Sequence, residues 1–244
     1  MTLDTLNPWF NDWFQTEFRR KRGWRGLAYR ALSRGILGAL SLRERLCGGV
    51  LITNESIVED VTVLRWLQRG PRILDIGCSS VRLPIQLASV GFQVDGLDLR
   101  PHLVPHRNFR FVRSDLFDWK PPEKYDAVLC ISALETFGLG AYDPDVERPE
   151  RDDAAAMEHI RRHLLKPDGQ CLVTVPYGRW RVNRKARVYD APNLARIFAG
   201  WRVARDAYFI QAPEGDWVPA PKDDPRWSAD PPVPGVTVQE LAIP

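Results

Sequence analysis

Short apolar runs alternate with longer segments of helical periodicity between residues 72 and 199. Apolar runs bounded by Gly, Pro or Asp are typical of buried strands, and apolar positions repeating every three or four residues are typical of helices. An alternation of the two favours a largely parallel sheet covered by helices. The pattern predicts strands over 72–76, 92–99, 108–112, 125–131 and 170–175, and helices over 83–90, 152–165 and 191–199.

Two further strands are predicted near the C-terminus, over 201–211 and 236–243. A Pro-rich loop at 212–234, with Trp217 and Trp227, separates them; loops of such length are usually functional or mobile. The fold class predicted is α/β, a doubly wound, mainly parallel sheet with helices on both faces. Its strands should end at a common edge, where open α/β sheets bind ligands.

The N-terminal segment differs from the rest of the chain. Residues 1–49 hold nine Lys or Arg against four acidic residues, and the aromatic residues between 9 and 18 recur at helical spacing. This predicts a helix with an aromatic face, followed by a basic helix over about 24–45. Three interpretations stay open: a packed cap, a lid over a pocket, or a helix lying on a membrane surface. We expect a division into an extension, 1–54, and a main domain, 55–244.

Composition narrows the class of protein. Apolar residues make up 44% of the chain and charged residues 27%, which excludes wholesale disorder and a polytopic membrane protein. The net charge of +3 is too small to name a partner. We expect a cytoplasmic protein, because no signal-peptide pattern is present and the cysteines lack the spacing of a metal site or a disulfide framework. The four cysteines are Cys47, Cys78, Cys130 and Cys171.

Acidic residues follow three of the predicted strands. Asp75 and Gly77 come at the end of the first, and the glycine permits a tight turn that brings backbone N–H groups close to a ligand. Asp98 ends the second strand at nearly the interval that places a carboxylate beside a ribose, where it can accept bonds from both hydroxyls. Asp115 follows the third strand and could accept a bond from an adenine amine, or cap a helix. The pattern indicates an adenine nucleoside site.

The string Ile73-Leu74-Asp75-Ile76-Gly77-Cys78 resembles motif I of the class I S-adenosylmethionine-dependent methyltransferases. The acids after the second and third strands, and the segments 125–130 and 164–169, match that family in order over about residues 55–211. The resemblance implies a seven-stranded sheet whose last hairpin carries the antiparallel strand. It also implies S-adenosylmethionine as cofactor and methyl transfer as activity.

The resemblance also implies roles for individual residues. Asp75 and Gly77 would hold the methionine end of the cofactor, and Asp98 would bind its ribose. Asp115 and Leu116 would flank the adenine. The predicted cofactor site consists of Asp75, Gly77, Cys78, Ser79, Asp98, Leu99, Ser114, Asp115 and Leu116, with Cys130 and Ile131 as its floor near the sulfonium.

The sequence departs from the family at two places. Ser79 and Val81 stand where relatives usually have glycine, and Val81 cannot easily adopt a positive φ. Glu135 is followed by Thr136, where many relatives have histidine, so no histidine base is expected there. An oxygen acceptor would still need a general base. The candidates are Glu135, Tyr142 and Asp143.

Two oppositely charged loops should lie above the edge of the sheet. The loop 135–153 is acidic, and the loop 177–189 is basic. Either the two loops pair with each other or face water, or the basic loop receives an anionic group of the acceptor. The basic residues are Arg179, Arg181, Arg184, Lys185 and Arg187.

The preferred function is in-line methyl transfer to a small polar acceptor such as a sugar, a glycan or a natural-product scaffold. The alternatives are a noncatalytic scaffold with the same fold, or an RNA methyltransferase using the basic N-terminal segment. No stable nucleic-acid partner and no metal site are predicted, although His159 and His163 share one helix face. A dehydrogenase is disfavoured because G-x-G-x-x-G is absent and Asp75 would repel a pyrophosphate.

Overall fold

The computed structural model describes residues 54–68, 70–78, 82–100, 104–140 and 148–244. The predicted N-terminal extension therefore lies outside the described residues, apart from position 54. The same holds for Ser79, Val81, Tyr142 and Asp143. Residues 55–211 and 217–244 form one compact unit.

Eight strands of the described chain form one sheet, in the order β3-β2-β1-β4-β5-β10-β8-β9. β1 to β5 are mutually parallel, and the antiparallel β10 lies between β5 and β8. Two further short strands, β6 and β7, form a separate hairpin. The strands are β1 (Arg72–Ile76), β2 (Gln93–Asp98), β3 (Phe109–Arg113), β4 (Tyr125–Ile131), β5 (Leu165–Pro176), β6 (Arg181–Val182), β7 (Arg187–Val188), β8 (Arg202–Gln211), β9 (Trp217–Pro219) and β10 (Gly235–Ala242).

Four α-helices within the described residues accompany the sheet. Asp152 and Asp190 cap the third and fourth, because their side chains accept bonds from Ala155 N and Asn193 N, respectively. Short 3₁₀ turns occur at Leu134–Thr136, Pro149–Arg151 and Pro225–Ser228. The α-helices are α1 (Ser56–Trp66), α2 (Leu83–Ser89), α3 (Asp153–His159, continued by a π-helical turn at Ile160–Leu164) and α4 (Ala191–Ile197).

The central strand β4 explains the layered arrangement. Its side chains point alternately to the two faces of the sheet, and both faces are buried. Leu129 belongs to an apolar cluster that includes Val63 of α1, whereas Val128 belongs to one that includes Met157 of α3 and Leu194 of α4. Helices therefore cover both faces, and the predicted three-layer α/β architecture is confirmed.

The strand order reverses beside β1. β1 pairs with β2 on one side and with β4 on the other, so that the connections after β1 and β4 diverge. A crevice forms at such a switch point, outside the carboxyl ends of the strands, and ligands of open α/β sheets bind there.

The structure adds elements to those predicted. The sheet has eight strands instead of seven, because Trp217–Pro219, within the expected loop 212–234, pairs with the edge of β8. Helix α1 was not predicted, since its buried positions include Glu59 and Thr62 as well as Val63, which weakens the apolar periodicity. In the part of the chain that the structure describes, no helix is both long enough and apolar enough to cross a bilayer.

Truncating the core of β4 should destabilise the fold. Leu129 is 0% exposed, so Leu129→Ala should lower the free energy of unfolding by about 3 kcal/mol, the usual cost of a cavity in a packed core. Val90→Ala is the matched control, because Val90 is 72% exposed, and its effect should stay within about 0.5 kcal/mol. Urea denaturation checks both values. A loss below about 1 kcal/mol for Leu129→Ala would contradict this packing.

Candidate active site

A cavity of about 690 Å³ opens at the carboxyl ends of β1 to β4. Residues that follow each of these strands line it, as the predicted position of the site requires. Among the predicted cofactor residues, those that line the cavity are Gly77, Asp98, Leu99, Ser114, Asp115 and Leu116.

Gly77 allows two turns to meet at the switch point. Its φ of +83° lies in the left-handed region, and its N–H donates to the carbonyl of Leu97 at 2.8 Å. A Cβ built on Gly77 would lie 2.5 Å from the Cβ of Ala133, in the turn after β4. Glycine is therefore required both for the backbone conformation and for the close packing of the turns after β1 and β4.

Asp98 lies at the end of β2 and lines the cavity with its carboxylate largely buried. Its Oδ1 accepts a bond from the backbone N–H of Arg100 at 2.8 Å, and the Arg100 guanidinium lies 3.5 Å from the same oxygen. The turn after β2 thus fixes the direction of the carboxylate.

Asp115 and its neighbours form a slot on the β3 side of the cavity. Oδ1 of Asp115 accepts from the N–H of Phe117 at 2.9 Å and pairs with Arg151 at 3.0 Å, so the carboxylate stabilises a turn. Leu99 lines the cavity while 52% exposed, and Leu116 is buried beside it. Apolar side chains and a carboxylate therefore line the same cavity.

The other predicted cofactor residues that the structure describes are buried and do not line the cavity. Asp75 is buried, and this burial, followed by the negative charges of Asp60 and Asp98, raises the pKa of its carboxyl well above the usual range. Within the described residues its Oδ2 has no hydrogen-bond partner. Cys78 is buried, and Cys130 and Ile131 each belong to one of the two apolar clusters. The three described cysteines, Cys78, Cys130 and Cys171, are free thiols.

Sequence reasoning missed a buried contact that holds the turn after β4. Ser132 lines the cavity with a φ of +45°, which is uncommon for a residue with a side chain. Its Oγ donates to Oε1 of Glu59 at 2.7 Å, and its N–H donates to Oγ1 of Thr174 at 2.9 Å. The Thr174 hydroxyl donates to the same Glu59 oxygen at 2.6 Å. α1, β5 and the turn after β4 are thereby joined beside the cavity.

The carboxyl groups of Glu59 and Glu135 both have raised pKa values. Burial raises the pKa of Glu59 to about 7, although the bonds from Thr174 and Ser132 oppose the shift. Burial raises the pKa of Glu135 to about 8, and the negative charge of Glu59 contributes to that rise. The structure places the predicted base Glu135 beside the cavity, next to the lining residue Thr136.

The acidic and basic loops meet at Asp153. This buried carboxylate accepts a bond from the Tyr189 hydroxyl at 2.8 Å and pairs with Arg196 at 3.0 Å and Arg187 at 3.5 Å. Pairing between the loops is therefore confirmed for Arg187. Arg184 and Lys185 instead lie exposed between β6 and β7.

Several arginines line the large cavity or a second one, and the sequence pattern did not single out most of them. Arg100, Arg113, Arg148 and Arg151 line the large cavity. A second cavity, of about 500 Å³, lies beside the hairpin and includes Arg179 of the basic loop and Lys222. Their positions depend on tertiary packing, so no local sequence signal marks them.

Comparison with known proteins assigns a family. A family profile described as "Methyltransferase domain" matches residues 53–211, well over half of the chain. A ubiquinone biosynthesis O-methyltransferase of Xylella fastidiosa (strain 9a5c) is 28% identical over 116 residues, which cover 43% of this chain. The match spans 42% of that relative's length, less than half of it.

Solved structures share the fold at low sequence identity. The glycopeptide N-methyltransferase MtfA superposes with a TM-score of 0.52 and 15% identity, covering 78% of this chain and 91% of its own. The [4+2]-cyclase SpnF gives 0.55 and 18%, with coverages of 77% and 81%. The N-methyltransferase NodS of Bradyrhizobium japonicum WM9 gives 0.52 and 11%, with coverages of 77% and 87%. At these identities the likeness shows the fold alone.

The contact at Gly77 can be separated from backbone strain. Gly77→Ala and Gly91→Ala both place a side chain at positive φ, but a Cβ at Gly91 meets nothing within 4 Å. Gly77→Ala should therefore lose about 2 kcal/mol more unfolding free energy than Gly91→Ala, a typical cost of overpacking. Chemical denaturation of both variants measures the difference. Equal losses would show that the two turns do not need this contact.

The family match and the geometry agree. The profile covers the strands that surround the cavity, and the cavity lies at the topological switch point of a doubly wound sheet. The chain belongs to the methyltransferase-domain family and has the fold of the class I S-adenosylmethionine-dependent methyltransferases.

Proposed function

We propose that this protein transfers the methyl group of S-adenosylmethionine to a small polar acceptor. The observation that supports it most strongly is that Asp98 of β2 and Asp115 after β3 line one cavity at the switch point, with the buried Asp75 of β1 close enough to Asp98 for their charges to interact. The bound cofactor would supply a methyl group already activated on a sulfonium. The main task of the protein is then to align the acceptor with that methyl group.

The β2 and β3 side of the cavity fits an adenosine. The fixed carboxylate of Asp98 would accept bonds from the two ribose hydroxyls. Both contacts that orient Asp115 use Oδ1, so Oδ2 is the oxygen we assign to the adenine amine. Leu99 and Phe117, which line the cavity, would pack against the faces of the ring.

The β1 side of the cavity fits the methionine end of the cofactor. Asp75 is a buried carboxyl whose Oδ2 lacks a hydrogen-bond partner in the described chain, and an ammonium group would satisfy it. Gly77 gives the backbone close access to the ligand because a Cβ there would fill the junction. We assign Cys130 and Ile131 to the floor of the site. Cys78, Ser79 and Ser114 stay predictions as cofactor contacts.

The acceptor side is the less constrained part of the proposal. Glu135 is our candidate base, because its raised pKa makes it a stronger proton acceptor than an ordinary carboxylate. Tyr142 and Asp143 stay predictions. A sugar, a glycan or a natural-product scaffold fits the expected class of small polar acceptor. The RNA alternative depends on the basic segment 1–49, which lies outside the described residues.

An anionic group on the acceptor is a further part of the proposal. The exposed Arg184 and Lys185 extend from a hairpin whose base touches the turn after β4, since Arg187 donates to the carbonyl of Phe137 at 2.7 Å. Arg179, at the start of the same loop, lines the second cavity with Lys222. These cations could hold a carboxylate or phosphate at a distance from the reacting atom.

Removing the ribose carboxylate tests the cofactor assignment. Asp98→Ala should weaken binding of S-adenosylmethionine more than tenfold, because two hydroxyl contacts are lost. Asp168→Asn is the control, since Asp168 is exposed before the part of β5 that pairs with the core of β4. Isothermal titration calorimetry compares the three proteins. Absence of binding by the wild type at millimolar cofactor would leave only a noncatalytic scaffold, and an unchanged affinity in Asp98→Ala would refute the ribose assignment.

Charge reversal on the hairpin tests the acceptor assignment. The double variant Arg184→Glu, Lys185→Glu should raise KM for the acceptor without changing the cofactor affinity, because both side chains are exposed and neither lines the large cavity. Steady-state kinetics and cofactor titration give the two values. An equal loss of both would contradict a role in acceptor binding.

A further inference from the structure

Two buried glutamates beside the cavity have acceptor oxygens that no described residue satisfies. Glu59 is 0% exposed and Glu135 is 6% exposed. In the part of the chain that the structure describes, Oε2 of each residue has no hydrogen-bond partner. Most buried polar atoms are paired, so two orphan carboxyl oxygens in one region require an explanation.

The two glutamates belong to one structure at the acceptor side. Glu59 holds Ser132 through Oε1, and Ser132 begins the turn that carries Glu135 three residues later. Ser132 and Thr136, on either side of that turn, line the large cavity. The charge of Glu59 also acts on the carboxyl of Glu135 strongly enough to raise its pKa.

The cations near this turn are already engaged. Arg187 donates to the carbonyl of Phe137 at 2.7 Å and pairs with Asp153, and Arg196 pairs with the same aspartate. Among the described residues, no lysine, arginine or histidine forms a salt bridge with Glu59 or Glu135. The charge of Arg187 lowers the pKa of Glu135, and Arg187 also donates to the Glu135 carbonyl at 3.4 Å, but among the described residues neither glutamate carboxyl has a direct cationic partner.

A ligand cation would complete this arrangement. A buried carboxylate without a partner is costly, and pairing with a cation removes most of that cost. An ammonium group carries the required charge and three N–H donors, which suit two carboxylates at once. A neutral hydroxyl group carries one donor and no charge, so it fits the pair less well.

We propose that Glu59 and Glu135 form an acceptor subsite for a protonated amine, and that the methyl group is transferred to nitrogen. This inference depends on the proposed function and specifies its acceptor. It is compatible with an anionic group at the other end of the same molecule, held by the hairpin.

The two glutamates would have different tasks. Oε1 of Glu59 accepts two hydroxyl bonds, which favour its charged form, so Glu59 provides the fixed anion. Glu135 lies in the turn whose residue Thr136 lines the cavity, and burial raises the pKa of its carboxyl, so Glu135 is the proton acceptor. Glu135 takes one proton from the ammonium, and the freed nitrogen lone pair forms the N–C bond to the methyl carbon. The C–S electron pair stays on sulfur, which leaves a methylammonium product and S-adenosylhomocysteine.

The test compares amines with neutral isosteres. Protein saturated with S-adenosylhomocysteine is titrated at pH 8 with benzylamine, phenethylamine and butylamine, and with benzyl alcohol, phenethyl alcohol and butanol. We expect at least one amine to bind at least tenfold more tightly than its alcohol. Glu59→Gln and Glu135→Gln should each reduce that preference at least tenfold, with the affinity for S-adenosylhomocysteine within about twofold of wild type.

Glu123→Gln is the matched control, because its side chain is 72% exposed and pairs only with Arg72 among the described residues. It should keep the amine preference. Glu59→Gln retains an Oε1 acceptor for Ser132 and Thr174, and Glu135→Gln gives an independent answer if the first variant fails to fold. Equal binding of amines and alcohols, or a preference that survives in Glu135→Gln, overturns the inference while cofactor binding stays intact. Failure of the wild type to bind S-adenosylhomocysteine overturns the proposed function itself.

Discussion

The close approach of the turns after β1 and β4 is the constraint on which the site depends. Gly77 permits it, because any side chain there would collide with Ala133. Asp98, at the end of β2, and Ser132, in the turn after β4, both line the crevice that forms there. A sheet that reverses its strand order provides the crevice, and the absence of a Cβ at Gly77 lets the turns after β1 and β4 approach each other there.

The buried acidic residues differ in whether other side chains balance their charge. Asp153 has three partners, Tyr189, Arg187 and Arg196, and these tie the hairpin and α4 to the start of α3. Asp75 and Glu135 instead retain oxygens that no described residue satisfies. Partnered acids of this kind stabilise a fold, whereas unpartnered ones are typical of functional sites, where a ligand supplies the missing charge.

The sequence predicted the sheet well and the acceptor side poorly, for physical reasons. Strands 72–76 and 125–131 were predicted with the bounds that the structure has, because both are short, mainly apolar runs that end at turn residues. Helix α1 was missed because it buries Glu59, and the contact of Glu59 with Ser132 and Thr174 joins residues distant in sequence. The spacing between Asp75 and Asp98 predicted a nucleoside site at the end of β2, and Asp98 and Asp115 do line one cavity of the structure.

The most direct measurement is a crystal structure of the protein with S-adenosylhomocysteine, with the ligand omitted when the difference density is calculated. The account predicts density across the carboxyl ends of β1 to β3, with the ribose against Asp98 and the adenine between Leu99 and Phe117. Density in another cavity, or a ribose that does not contact Asp98, would contradict it.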